Sequence, residues 1–190
     1  MNRDQGLVIL QEFVQNINLQ RHMFAVEAAM RDYALVHGED SETWGLSGLL
    51  HDFDWEIHTT LEQHPQAGAP LLRERGVPEE IVRCILSHAD HTGIPRSSLM
   101  ERALFACDEI TGLITAVALV RPSRAVHDVS VRSVKKKWKD ASFAAAVNRD
   151  EIEHGAAEFG VELWKHVDHV LQSMCRIAPE LGLQGSGVGS

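Results

Sequence analysis

The chain has 190 residues, of which 44% are hydrophobic and 24% charged. This excludes a disordered or fibrous protein and allows one domain with a substantial core. A formal net charge of −9 argues against a nucleic-acid polymer or an anionic membrane as partner, since both select for clustered positive charge.

Apolar residues recur at helical spacing along almost the whole chain, and alternating β-branched runs are hard to find, so the fold class read from the sequence is all-α. Helices are expected at about 4–17, 20–36, 42–52, 65–74, 78–88, 98–120, 130–147, 150–159 and 161–178. Pro65 and Pro78 each fit a first helical position, Ser41 precedes an acidic helix start, and Gly38, Gly76, Gly93 and Gly160 fall where helices should stop. One domain is expected over 1–180, with a Gly/Ser-rich flexible tail at 181–190. The opening MNRDQGLVILQEF lacks the pattern of a signal peptide, and Cys84, Cys107 and Cys175 form no C-x-x-C pair, so a cytoplasmic location is expected.

Several titratable residues sit where an apolar residue would be expected. On the second predicted helix, His22 shares a face with Val26, Ala29 and Tyr33, at offsets that repeat the apolar stripe. The third carries Leu46, Leu49, Leu50 and Phe53 inward and ends in His51-Asp52-Phe53-Asp54-Trp55-Glu56. Neighbours on a helix diverge by about 100°, but near a terminus both His51 and Asp52 can turn toward one ion. Gly48, one turn before Asp52, leaves room for another helix to approach. On the fifth predicted helix His88 continues the face of Ile81, Cys84 and Ile85.

Asp108 lies in ALFACDEITGLITAVALV, a segment apolar around nearly its whole circumference and broken only by Asp108-Glu109. It reads as a buried helix and not as a membrane span. A carboxylate buried there costs several kcal/mol unless a cation or strong hydrogen bonds compensate it. A divalent ion shared with imidazoles would do so, and mixed His/carboxylate shells suit Mn, Fe, Zn, Ni or Mg to different degrees. Taken singly, His22 also reads as a core histidine and Asp108 as a buried ion-pair partner; their order and setting together carry the metal reading.

That ordered set, a helical His22, then Leu49-Leu50-His51-Asp52, then Asp108 in Ala-Cys-Asp-Glu-Ile, resembles the HD-domain superfamily of metal-dependent phosphohydrolases over about residues 20–125. His64-Pro65-Gln66-Ala67-Gly68 is similar to the H-P-x-x-G segment of the HDIG-type and HD-GYP branches, and His88 stands where they place a further ligand. The resemblance implies a helical bundle with His22, His51, Asp52 and Asp108 on one metal, and His64 and His88 on a second, bridged by Asp52. His64 is expected at a helix start, where the positive dipole end favours the neutral, metal-binding imidazole. The chain departs from HD-GYP at His88-Ala89-Asp90-His91 and Gly93-Ile94-Pro95, which weakens a three-metal, cyclic-dinucleotide reading; His91 reads as a solvated loop residue.

Residues 121–149 hold eight basic residues against Asp128 and Asp140. Arg121-Pro122-Ser123-Arg124 follows the Asp108 helix, and related HD phosphodiesterases carry a similar R-P-x-R run, so Arg121, Arg124 and Lys136 are candidate contacts to a substrate phosphate. A solvated face is the plainer account of Lys135 to Lys139. Asp52, Asp54 and Glu56 form the candidate catalytic set, Asp54 and Glu56 as a general acid or as hydrogen-bond partners of the ligands. The expected activity is hydrolysis of a small phosphate ester or nucleotide with one or two divalent ions. The alternatives are an HD-type di-iron oxygenase and a non-catalytic, metal-stabilised signalling module; a homodimer is compatible with the apolar run from Val161 to Met174.

Overall fold

Asn2 begins the first helix with a reciprocal cap: its side chain accepts the Gln5 N–H at 3.0 Å, and the Gln5 side chain accepts the Asn2 N–H at 2.9 Å. The computed structural model describes residues 1–185, which form nine α-helices. These are α1 (Arg3–Phe13), α2 (Ile17–His37), α3 (Ser41–Leu50), α4 (Ala69–Glu74), α5 (Glu79–Ser87), α6 (Leu99–Leu119), α7 (Val131–Trp138), α8 (Arg149–Phe159) and α9 (Leu163–Arg176). The all-α expectation is met: among the described residues the only β pairing is an isolated bridge between Ala125 and Gln184. No helix among them is long and apolar enough to cross a membrane.

The chain divides into two compact units, Met1–Phe105 and the remainder from Ala106, where the sequence suggested one domain over 1–180. In the first unit α2 packs on α3, and α3 in turn meets α1 and α5. Its core includes Leu10, Met23, Leu46, Leu49, Leu50, Phe53, Leu72, Ile81 and Ile85, all essentially buried. Truncating one such Leu or Ile to Ala costs about 2–5 kcal/mol in comparable cores. Gly48 brings the α2 and α3 backbones together: a Cβ there would stand 2.9 Å from the Glu27 N and Cα. Buried Glu27 accepts from Arg3 at 2.7 Å and from Arg31 at 2.8 Å, tying α1 to α2.

In the second unit, Trp138 and Trp164 meet edge to face at 5.4 Å, and Lys135 lies over the Trp164 ring. The Val126 N–H donates to the Leu183 carbonyl at 2.8 Å, and Leu181 and Leu183 are buried. The flexible tail expected over 181–190 is therefore corrected in its first part; residues 186–190 lie outside those described.

The stops at Gly38, Gly76, Gly93 and Gly160 agree with the sequence, each with positive φ. Helix α1 ends at Phe13 and not at 17, and α2 starts at Ile17 and not at 20, because Asn16 caps α2 with its side chain on the Asn18 N–H; three further boundaries differ. Helix α3 ends at Leu50, and residues 51–57 continue as overlapping turns, with Trp55 N–H on the Asp52 carbonyl and Ile57 N–H on Asp54. Pro65 lies in a turn before α4, which starts at Ala69; His64 and Gln63 both donate to the Thr60 carbonyl there. Helix α7 stops at Trp138 and not at 147, because Arg149 draws the carbonyls of Ala144 (3.1 Å), Val147 (2.9 Å) and Phe143 onto its guanidinium.

Candidate metal centre

The first unit gathers four histidines and one carboxylate from α2, the end of α3, the 61–68 turn and the end of α5. The close approach at Gly48 sets His22 of α2 opposite His51, which caps α3, with their Nε2 atoms 3.2 Å apart. His51 is fully buried, and its Nδ1 lies 2.8 Å from the Gly48 carbonyl. A carbonyl only accepts, so Nδ1 carries the proton and Nε2 presents a lone pair to the site. His88, the C-cap of α5, repeats this arrangement with Nδ1 on the Ile85 carbonyl. In both cases a helix end fixes the tautomer using a carbonyl of its own last turn.

Asp52 divides its carboxylate between two pairs of imidazoles. Oδ2 lies 3.8 Å from His22 Nε2 and 3.6 Å from His51 Nε2, while Oδ1 lies 3.2 Å from His64 Nε2 and 3.6 Å from His88 Nε2. His64 and His88 present their Nε2 atoms to each other at 3.4 Å. Asp52, His64 and His88 together place one donor atom each within 4.8 Å of one another. Imidazole Nε2 atoms turned toward one carboxylate, which become lone-pair donors on release of their protons, are the donor set a divalent ion requires, so these residues fit a metal.

Burial pushes the Asp52 carboxyl upward, but the surrounding imidazoles of His51, His64 and His88, which take up protons beside it while no ion is bound, outweigh burial and hold it well below the ordinary carboxylate range. Burial likewise pulls His64 down, yet Asp52 and Asp54 overcome it and raise the imidazole to about 9. The expectation that a helix dipole keeps His64 neutral is thus corrected: no helix starts at His64, and carboxylates dominate its surroundings.

Asp54 is fully buried, with Oδ1 2.7 Å from His64 Nδ1 and Oδ2 3.3 Å from His58 Nδ1. Glu56 turns elsewhere and accepts the backbone N–H groups of Asn16 at 2.7 Å and Gln15 at 3.1 Å. These engagements weigh against the general-acid alternative for both carboxylates. One residue near the site, Trp55, was not tied to it by the sequence. Trp55 meets the His64 ring edge to face at 4.9 Å, and His91, exposed as expected, also places Nε2 2.8 Å from the His64 carbonyl.

In the second unit, Asp108 stands on α6 and is half-buried, less enclosed than the apolar segment around it suggested. Arg121 is half-buried and Arg124 exposed. Lys136 is exposed and lines a basic cleft of about 530 Å³ with Ser130, Arg132, Ser133, Lys135 and Lys139.

The HD domain family model matches residues 19–113, half of the chain, a span that includes all six expected ligands. No curated protein and no solved structure gives a significant match.

Proposed function

We propose that this chain, which belongs to the HD-domain family, is a metal-dependent phosphohydrolase acting on a small phosphate ester or nucleotide. The observation that supports the reading is the division of Asp52, one oxygen toward His22 and His51 and the other toward His64 and His88. A carboxylate so divided would serve two cations, one through each oxygen. His22, His51 and Asp52, joined by Asp108, are the proposed holders of one ion; Asp52, His64 and His88 are those of a second. Such a pair of ions, when bound, supplies a water nucleophilic near neutral pH and offsets the charge that develops at phosphorus.

The chain's own residues keep imidazole lone pairs directed inward, through the Gly48 and Ile85 carbonyls and the Asp54 carboxylate. Arg121, Arg124 and Lys136 are the proposed contacts to substrate phosphate, Arg through its bidentate fork and Lys as a point charge. An otherwise acidic chain that binds an anionic substrate requires such local cations.

The test is a panel of phosphomonoesters, phosphodiesters and nucleotides, run in ¹⁸O-labelled water with Mn²⁺, Zn²⁺, Fe²⁺, Ni²⁺ or Mg²⁺. One metal should support release of phosphate or phosphomonoester carrying the label, and Asp52→Ala should abolish both metal retention and release. Undiminished turnover by Asp52→Ala on a responsive substrate overturns the assignment. Absence of turnover with every metal, in protein that binds metal stoichiometrically, replaces it with a binding module, and substrate oxidation by an iron-loaded form replaces it with an oxygenase.

A further inference from the structure

Resting on the reading that this cluster holds metal, we infer that Asp54 is a positioning residue which aims His64 at its ion, and that Gly68 makes room for it. The three buried histidines of the cluster are oriented by two different means. His51 and His88 end helices, so a carbonyl three residues back, Gly48 or Ile85, already lies within reach of Nδ1. His64 lies in the 61–68 turn, where no helix offers such a carbonyl. Its Nδ1 partner comes from ten residues earlier, the Asp54 carboxylate at 2.7 Å.

Two further observations mark this pairing as built. Asp54 has no exposed surface, and a carboxylate so enclosed is costly unless charge-assisted hydrogen bonds compensate it. Here His64 and His58 do so. The second observation concerns Gly68, the glycine of the H-P-x-x-G segment. Its φ of −74° and ψ of −31° suit any L-residue, so the backbone does not require glycine. Space does: a Cβ at this position would lie 2.5 Å from Asp54 Oδ2 and 2.6 Å from its Cγ.

A carboxylate behind an imidazole fixes the ring and strengthens its other nitrogen as a donor more than a neutral carbonyl does. The two halves of the centre therefore draw their strength from different sources. The ion on His64 and His88 depends on Asp54 and Gly68, whereas the ion on His22 and His51 does not. Two imidazoles with a carboxylate oxygen select a first-row transition ion over Mg²⁺.

The experiment is equilibrium dialysis of the full chain against Mn²⁺, with bound metal counted by mass spectrometry and apo folding followed by circular dichroism. Wild type should take up two ions. Asp54→Asn, which keeps an acceptor and removes the charge, should weaken one of them by about 10–100-fold and leave the other unchanged. Gly68→Ala should reproduce the loss through displacement of the carboxylate, and the double variant should be no worse than the more impaired single one. Asp54→Ala should lose the same ion outright, with retention of the other ion showing that the fold is intact. Two ions bound with unaltered affinity in both Asp54→Asn and Gly68→Ala overturns the inference while the metal reading stands. Absence of any bound ion in wild type overturns that reading itself.

Discussion

His64 in the first unit and His166 in the second are both nearly inaccessible to solvent, at 3% and 1% exposure, yet their imidazoles shift in opposite directions. Burial lowers both. For His166 the opposing contribution is one hydrogen bond to the Ala106 carbonyl at 2.7 Å, His169 adds to the lowering, and the group falls to about 4. For His64 two carboxylates outweigh burial, and it rises to about 9. Concealment of a histidine therefore says little about chemistry; the partners enclosed with it decide. His166 is a neutral packing residue held by the Ala106 carbonyl, whereas His64 belongs to a charged cluster.

The contrast breaks most sharply if the two residues prove equally dispensable to metal. We expect His88→Ala, which deletes a donor from the cluster, to remove one ion and lower turnover on the responsive substrate by at least ~100-fold. His166→Asn should leave both unchanged. Equal metal content and rate in the two variants would erase the distinction.

The next effect is on stability. Because His166 titrates near 4 in the folded chain and near 6.5 when unfolded, the unfolded state binds more protons between those values. Stability is thus intact above about pH 6.5 and lost as pH falls toward 4, by roughly 3 kcal/mol in total. Urea unfolding at several pH values should show this slope in metal-free wild type and a shallower one in His166→Asn; parallel slopes would contradict the assignment of a buried neutral imidazole. The smallest effect is expected at Glu56. Glu56→Gln should cost on the order of 1 kcal/mol in thermal unfolding, through weaker reception of the Gln15 and Asn16 N–H groups, with metal content and rate retained. A rate lost at full metal occupancy would restore a chemical role to this carboxylate.

Much of the first unit was legible in the residue order because helical periodicity sets which side chains face inward. The stripe of Val26, Ala29 and Tyr33 is buried as read, and His88 follows the buried face of Ile81, Cys84 and Ile85 to which it is assigned. Gly48 was recognised as a point of close approach, and the backbones of α2 and α3 do meet there. Residues 51–52 and 65–68 read as helix in the sequence but form turns, because those turns depend on contacts distant in sequence. Pro65 imitates a helix start, while the conformation around it follows from where His64, Asp54 and Gly68 meet. Asp54 and Glu56 looked alike in the sequence, and only folding separates the one behind His64 from the one on the α1–α2 connection. Likewise, no periodicity announces that α7 gives way after Trp138 to a loop gathered by Arg149.

The missing side chain at Gly48 acts as the gauge block of the centre. Any β-carbon there would press on the Glu27 backbone at 2.9 Å, and rigid helices would answer by separating by several tenths of an ångström. His51 lies less than one turn further along the same helix, so the imidazole gap would widen with them. Metal–ligand bonds tolerate departures of only about 0.2 Å. The dimensions of the centre are thus machined by two polypeptide backbones in direct contact, and a single methyl group inserted between them is enough to put it out of true.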